Sequence, residues 1–223
     1  MMMTMKWLPM TIAAMMVLAS CESDNYDKGT GENSLTTANL MVAYADGDKM
    51  IRSIVTDDGD SLVLATPVTA KWVTTADSAY RSLAYYDITA PGKAEIVSIG
   101  KVPTLIPVEA DSVKSPKHDP VGFESMWKAK NGRYLNISIW LKVGSTSVED
   151  AHHTIGITHD STTTAHDGRT TAHLRLLHDQ GDVPEKYSSQ YFLSIPRSWV
   201  TTDSVSCTFD TWTGSVVKTV AMQ

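Results

Sequence analysis

From Asn39 onward the chain alternates short apolar stretches with turn-forming residues, and no stretch carries a persuasive helical period. Leu40 to Ala45 predicts one strand. Met50 to Thr56 and Ser61 to Ala65 predict two more, flanking Asp57, Asp58, Gly59 and Asp60 in a hairpin signal. Tyr80 to Ile88, Ala94 to Ile99 and Val102 to Val108 complete a first set, punctuated by Pro91-Gly92 and Gly100. Short strands without helices predict a small barrel or sandwich.

Asp111 to Pro120 breaks this rhythm, because proline restricts its predecessor and resists continuation of a ladder. Beyond it lies the clearest alternation in the chain, Tyr134 to Val143. Leu135, Ile137, Ile139, Leu141 and Val143 form an apolar face, and Tyr134, Asn136, Ser138, Trp140 and Lys142 a mixed one. His153 to His159, Thr170 to His178, Tyr191 to Ile195, Val205 to Phe209 and Val216 to Ala221 follow as further strands. Their shortness and turn-rich spacing predict an antiparallel β-sandwich rather than alternating strands and crossover helices.

The N-terminus has a different pattern. Lys6 precedes the apolar run Trp7 to Ala19, which is too short to span a membrane, and small residues precede Cys21, as in a secretory signal. Leu18-Ala19-Ser20-Cys21 resembles the bacterial lipobox, whose cysteine is acylated and becomes the first mature residue. Acylation would hold the protein at a lipid bilayer through the buried methylenes of its chains. Glu22 to Thr37 is polar and reads as a flexible tether. The predicted organisation is a signal at 1–20, a tether at 21–37, a barrel at 38–114 and a β-sandwich at 115–223.

Charge narrows the functional classes. The 223 residues carry a net charge of -6 and no basic block, which argues against nucleic-acid binding. The chain has two cysteines, and acylation of Cys21 would leave only Cys207, with no internal disulfide. Alternation places Cys207 beside Val205 and Phe209 as a buried structural thiol.

Six of the seven histidines fall between His152 and His178, so a metal site has to be weighed. A hairpin placing Ile155 opposite Leu174 would put Ile157 opposite Ala172, His153 opposite Leu176 and His173 opposite Gly156. That arrangement scatters the imidazoles and favours solvated strand ends. Asp46, Asp48, Asp57, Asp58 and Asp60 raise the thought of calcium, but their spacing is not that of an EF-hand and a turn accounts for those around Gly59. No nucleophile elbow, P-loop or dinucleotide-binding turn is present. The sequence therefore assigns no catalytic residue, cofactor or metal ligand. Trp72, Trp127, Trp140, Trp199 and Trp212 could stack on a carbohydrate or anchor a partner protein, and Trp140 is the leading recognition residue because it lies on the mixed face of its strand.

Leu18-Ala19-Ser20-Cys21, the early strand with the Asp57-Asp58-Gly59 hairpin, Arg81 through Tyr85-Tyr86 and Ile88, and Asn131-Gly132-Arg133-Tyr134-Leu135-Asn136-Ile137 together resemble the NigD-like lipoprotein family of Bacteroidetes. The resemblance implies an all-β chain in which an N-terminal OB-like barrel precedes the C-terminal antiparallel β-sandwich. It carries no catalytic residue, ligand or immunity mechanism to transfer. Five Asp-Ser-X tripeptides, beginning at Asp60, Asp77, Asp111, Asp160 and Asp203, resemble the O-glycosylation acceptor pattern of extracytoplasmic proteins in the same phylum. The expected function is a non-enzymatic, lipid-anchored accessory or interaction protein of the cell envelope, with an envelope protein or a glycan as partner. Its expected location is the outer membrane, facing the periplasm or the exterior. The alternatives are a metal-dependent enzyme acting on an envelope polymer and a carbohydrate-binding surface module.

Overall fold

The computed structural model describes residues 36–145 and 151–223. Cys21, the signal segment and nearly all of the expected tether lie outside the described residues. The described chain is all-β, interrupted only by two short 3-10 turns at Ala110–Ser112 and Arg197–Trp199.

Five strands form the N-terminal part: β1 (Thr37–Ala45), β2 (Ile51–Thr56), β3 (Ser61–Val68), β4 (Ala79–Ala90) and β5 (Lys93–Lys101). They close in the order β1-β2-β3-β5-β4, with β4 pairing back onto β1 along eight residues, so this OB-like barrel has no free edge. Met41, Ile51, Ile54, Leu62 and Leu64 fill its interior beside Ala43, Ala84 and Ala94. The three alanines are fully buried, as a narrow five-stranded lumen with several large side chains demands. The predicted hairpin is present, with Val55 opposite Ser61 and Gly59 at φ +104°.

Val102 to Val108 does not form the sixth strand that the sequence predicts. Pro103 and Pro107 each remove a backbone donor, and the segment makes one isolated bridge, Thr104 to Ser194, within the stretch that leads out of the barrel. The short β6 (Val108–Glu109) then joins the distal sheet.

The C-terminal part stacks two sheets. β7 (Gly122–Lys128), β8 (Tyr134–Val143) and β11 (Tyr187–Pro196) form one, in the order β11-β8-β7. β9 (Thr154–Thr164), β10 (Thr170–Asp179), β12 (Ser204–Thr211) and β13 (Gly214–Ala221) form the other with β6, in the order β13-β12-β10-β9-β6. Leu135, Ile137, Ile139 and Leu141 of β8 are fully buried, in one core with Ile157, Leu174, Leu176 and Phe209 from the opposite sheet. Most pairings are antiparallel. β10 and β12 are parallel because β11 crosses to the other sheet between them, so the chain returns in its earlier direction.

Two local expectations change. β7 is absent from the sequence reading because a bulge between Phe123 and Ser125 breaks its alternation, leaving the core residues Phe123 and Met126 three apart. The β9-β10 register also differs. Ile157 faces Leu176, Leu174 faces His159, and His173 faces Ser161. A tight turn at Ala165–Gly168, with Gly168 at φ +84°, lets Ser161 to Thr164 continue the strand, where β-branched threonines are at home.

Candidate functional site

The mixed face of β8 looks away from the sandwich core and divides into two halves. Asn136 and Ser138 are buried, whereas Trp140 is 36% exposed. The barrel docks over Asn136, whereas Ser138 is engaged by Glu124 and Gln190.

At that junction the Arg81 guanidinium, on β4, makes a two-pronged ion pair with Asp57, at 2.7 Å to Oδ1 and 2.6 Å to Oδ2. Their side chains are 1% and 9% exposed. Arg81 also donates to Ser194 Oγ at 2.9 Å and to Asn136 Oδ1 at 2.9 Å, and Asn136 Nδ2 donates to Asp57 Oδ2 at 2.7 Å. The Tyr134 ring covers the guanidinium at 4.1 Å. Asn131 closes the rim, its backbone donating to Asp57 O and its side-chain amide to Thr56 O. Buried charges persist only when paired and hydrogen-bonded in this way. Asp57, Arg81, Tyr134 and Asn136 are thus structural cement between barrel and sandwich. Sequence reasoning missed this role for Asp57, which it explained as a turn residue.

Beyond the barrel the same face is open. The bulge in β7 turns Glu124 toward β8, where its Oε2 accepts from Ser138 Oγ at 2.8 Å and from Gln190 Nε2 at 2.6 Å. Gly122 and Gln190 flank Trp140 in the neighbouring strands. A Cβ at Gly122 would lie 2.9 Å from Trp140 Cβ and 3.0 Å from Trp212 Cζ3, so the glycine is what lets both side chains pack against the strand at this point. Trp212, 43% exposed, also carries the Lys142 ammonium 5.2 Å from its ring centre. At the barrel end of the open face, Trp127 and Phe192 meet edge to face at 6.5 Å. They line a groove of about 320 Å³ with Tyr85, Gln190, Lys128 and Lys130. Trp140, singled out by alternation, stands in this array with Trp127 and Trp212, two of the other tryptophans weighed from the sequence; Gly122, Glu124 and Gln190 were not foreseen.

The other tryptophans differ. Trp72 packs edge to face on Tyr80 at 5.6 Å, and Trp199 lies 57% exposed on its 3-10 turn, remote in sequence from the β8 face.

The histidines separate into small groups. His159 lies beside Glu109 at 3.2 Å, His173 beside Thr163 at 2.9 Å, and His118 beside Asp210 at 3.3 Å. The corrected register brings His153 Nδ1 to 3.0 Å from the buried His178 Nε2, a pairing the earlier alignment concealed. His178 Nδ1 faces the carbonyl oxygen of Asp119 at 3.1 Å and therefore donates to it. Burial, then the neighbouring His178 and His152, hold the His153 proton affinity below its usual range. Among the described residues, no three His, Cys, Asp or Glu side chains converge to hold a metal ion.

Two further turn carboxylates besides Asp57 are engaged by cations. Asp46 pairs with Arg52, which together with the Met50 amide holds it below the usual carboxylate range. Lys130, at 2.6 Å, and Asn39 do the same for Asp58. Cys207 lies fully buried in the sandwich core, where desolvation pushes its thiol up to about 12.

A closed five-stranded barrel cemented by a buried ion pair to a two-sheet sandwich defines the class. In these terms the chain is similar to a solved NigD-like immunity protein from Bacteroides caccae, with a TM-score of 0.62 and 21% identity, covering 82% of this chain and 91% of that one. A Bacteroides fragilis protein described as a lipoprotein matches with a TM-score of 0.61 and 12% identity, over 84% and 98% of the two chains. A protein of unknown function from Bacteroides vulgatus matches with a TM-score of 0.59 and 13% identity, over 83% and 90%. The expected likeness to NigD-like proteins is borne out in the fold. No protein-family model and no curated protein matches the sequence.

Proposed function

We propose that this chain is a NigD-like, lipid-anchored, non-enzymatic interaction protein of the bacterial cell envelope, acylated at Cys21 and presenting the open face of the β7-β8-β11 sheet to a partner. One observation carries the reading. The polar residues of the barrel junction are bonded to one another, while the adjoining sheet face leaves Trp140, Glu124 and Gln190 accessible, with Trp212 beside them from the turn after β12. Exposed aromatic residues with polar neighbours on a fixed scaffold suit recognition. The fold relatives include one described as a lipoprotein, which agrees with the lipobox-like sequence before Cys21.

The test compares the native chain with Cys21→Ala in cells. The native chain is expected to fractionate with the outer membrane and to be labelled by fatty acid, and Cys21→Ala to lose both properties. Digestion by protease in intact cells would direct the partner search outward, and protection until permeabilisation would direct it to the periplasm. A native chain that remains unacylated and soluble ends the proposal.

A further inference from the structure

We infer that the open face of the β7-β8-β11 sheet is a binding site for a neutral glycan strand lying along β8. This deepens the proposed function and rests on it. Two aromatic stations bound the face: Trp127 with Phe192 beside the barrel, and Trp140 with Trp212 at the far end. Trp127 is opposite Asn136, four residues from Trp140, so the stations stand about 13 Å apart by the rise of an antiparallel strand. Between them lie Glu124, Ser138 and Gln190, joined by hydrogen bonds.

The chemistry of these groups selects the ligand. An indole face is electron-rich and attracts the weakly positive C–H faces of a sugar ring. Among the described residues, both hydrogen bonds that Glu124 accepts fall on Oε2, which leaves Oε1 as an acceptor for a ligand hydroxyl. A nucleic acid or polyphosphate would meet this carboxylate on a chain of net charge -6. A protein partner is disfavoured for another reason: interface centres are depleted of Glu, and here a Glu sits between the two aromatic stations. A hydroxyl-rich, uncharged molecule with apolar ring faces satisfies both elements.

The probe is envelope polysaccharide freed of protein by protease and of lipid by mild acid, immobilised and presented to the full chain purified in detergent. The native chain is expected to bind. Trp140→Ala and Trp212→Ala should each weaken binding about tenfold or more while the melting temperature stays near native. Glu124→Gln, at an exposed position that leaves the fold undisturbed, supplies an independent variant and should also weaken binding. Absence of binding by the native chain, or undiminished binding by all three variants, overturns the assignment. Binding to untreated envelope extract that protease abolishes would overturn the glycan assignment while leaving the interaction role in place.

Discussion

Asn136 and Trp140 lie four residues apart on one face of one strand, yet one is fully buried among charges and the other faces solvent. Asn136 sits under the barrel, where each hydrogen bond replaces water that the docking removed. Trp140 sits beyond the barrel's reach, and its polar neighbours Glu124 and Gln190 remain exposed. The same strand therefore performs two tasks, and position relative to the barrel decides which. A polar residue on a strand reports function only once its covering partner is known.

The largest expected effect comes from breaking the buried half. Arg81→Met should cost about 3–5 kcal/mol, because it leaves the Asp57 carboxylate buried without its cation. Arg81→Met combined with Asp57→Leu should recover much of that loss, since removing both charges removes the desolvation problem. Urea denaturation of the single and double variants measures both. A loss below about 1 kcal/mol for Arg81→Met would place the pair with weak surface bridges.

A smaller loss is expected at the open half. Gly122→Ala should cost about 1–3 kcal/mol by crowding Trp140 Cβ, an atom that cannot swing aside, as well as the Trp212 ring. Its signature is a change in the tryptophan bands of the near-ultraviolet circular dichroism, whereas a folded Arg81 variant should perturb the tyrosine region through Tyr134.

The His153-His178 pair gives a milder, pH-dependent contrast. The folded proton affinity of His153 is lowered, so its contribution is fully present above the unfolded value near 6.5 and is lost as pH falls through that value toward the folded one. The melting temperature of the native chain should therefore drop more between pH 7.5 and 5.5 than that of His153→Phe. Parallel profiles would remove His153 from the acid response. Smallest of all, Glu124→Gln should change stability by about 0.5 kcal/mol or less, since the amide oxygen can still accept from Ser138.

The strands were legible where alternation was undisturbed, and Tyr134 to Val143 is present as expected. Legibility failed where a single residue altered the period or the pairing. The bulge at Glu124 hid β7, the tight turn before Thr170 displaced the histidine register, and the prolines at 103 and 107 cancelled a strand that hydrophobicity alone supported. The exposure of Trp140 could be inferred from its parity on β8. Its companions could not, because Gly122 lies in one sheet and Trp212 in the turn that follows a strand of the other, brought together beside the bridge between Val121 and Thr211. Asp57, Arg81, Tyr134 and Asn136 stood out in the sequence, but only their convergence from barrel and sandwich reveals what they do.

The barrel junction also has a mechanical meaning. A pull entering at residue 36 and resisted at Trp140 must pass through β1, which is held by β2 on one side and β4 on the other, and then across the Arg81 cluster into β8. Tension along that route would load two hydrogen-bonded ladders in parallel before reaching the ion pair. Strain entering at residue 36 would thereby reach the sheet face through paired strands and a buried charge cluster.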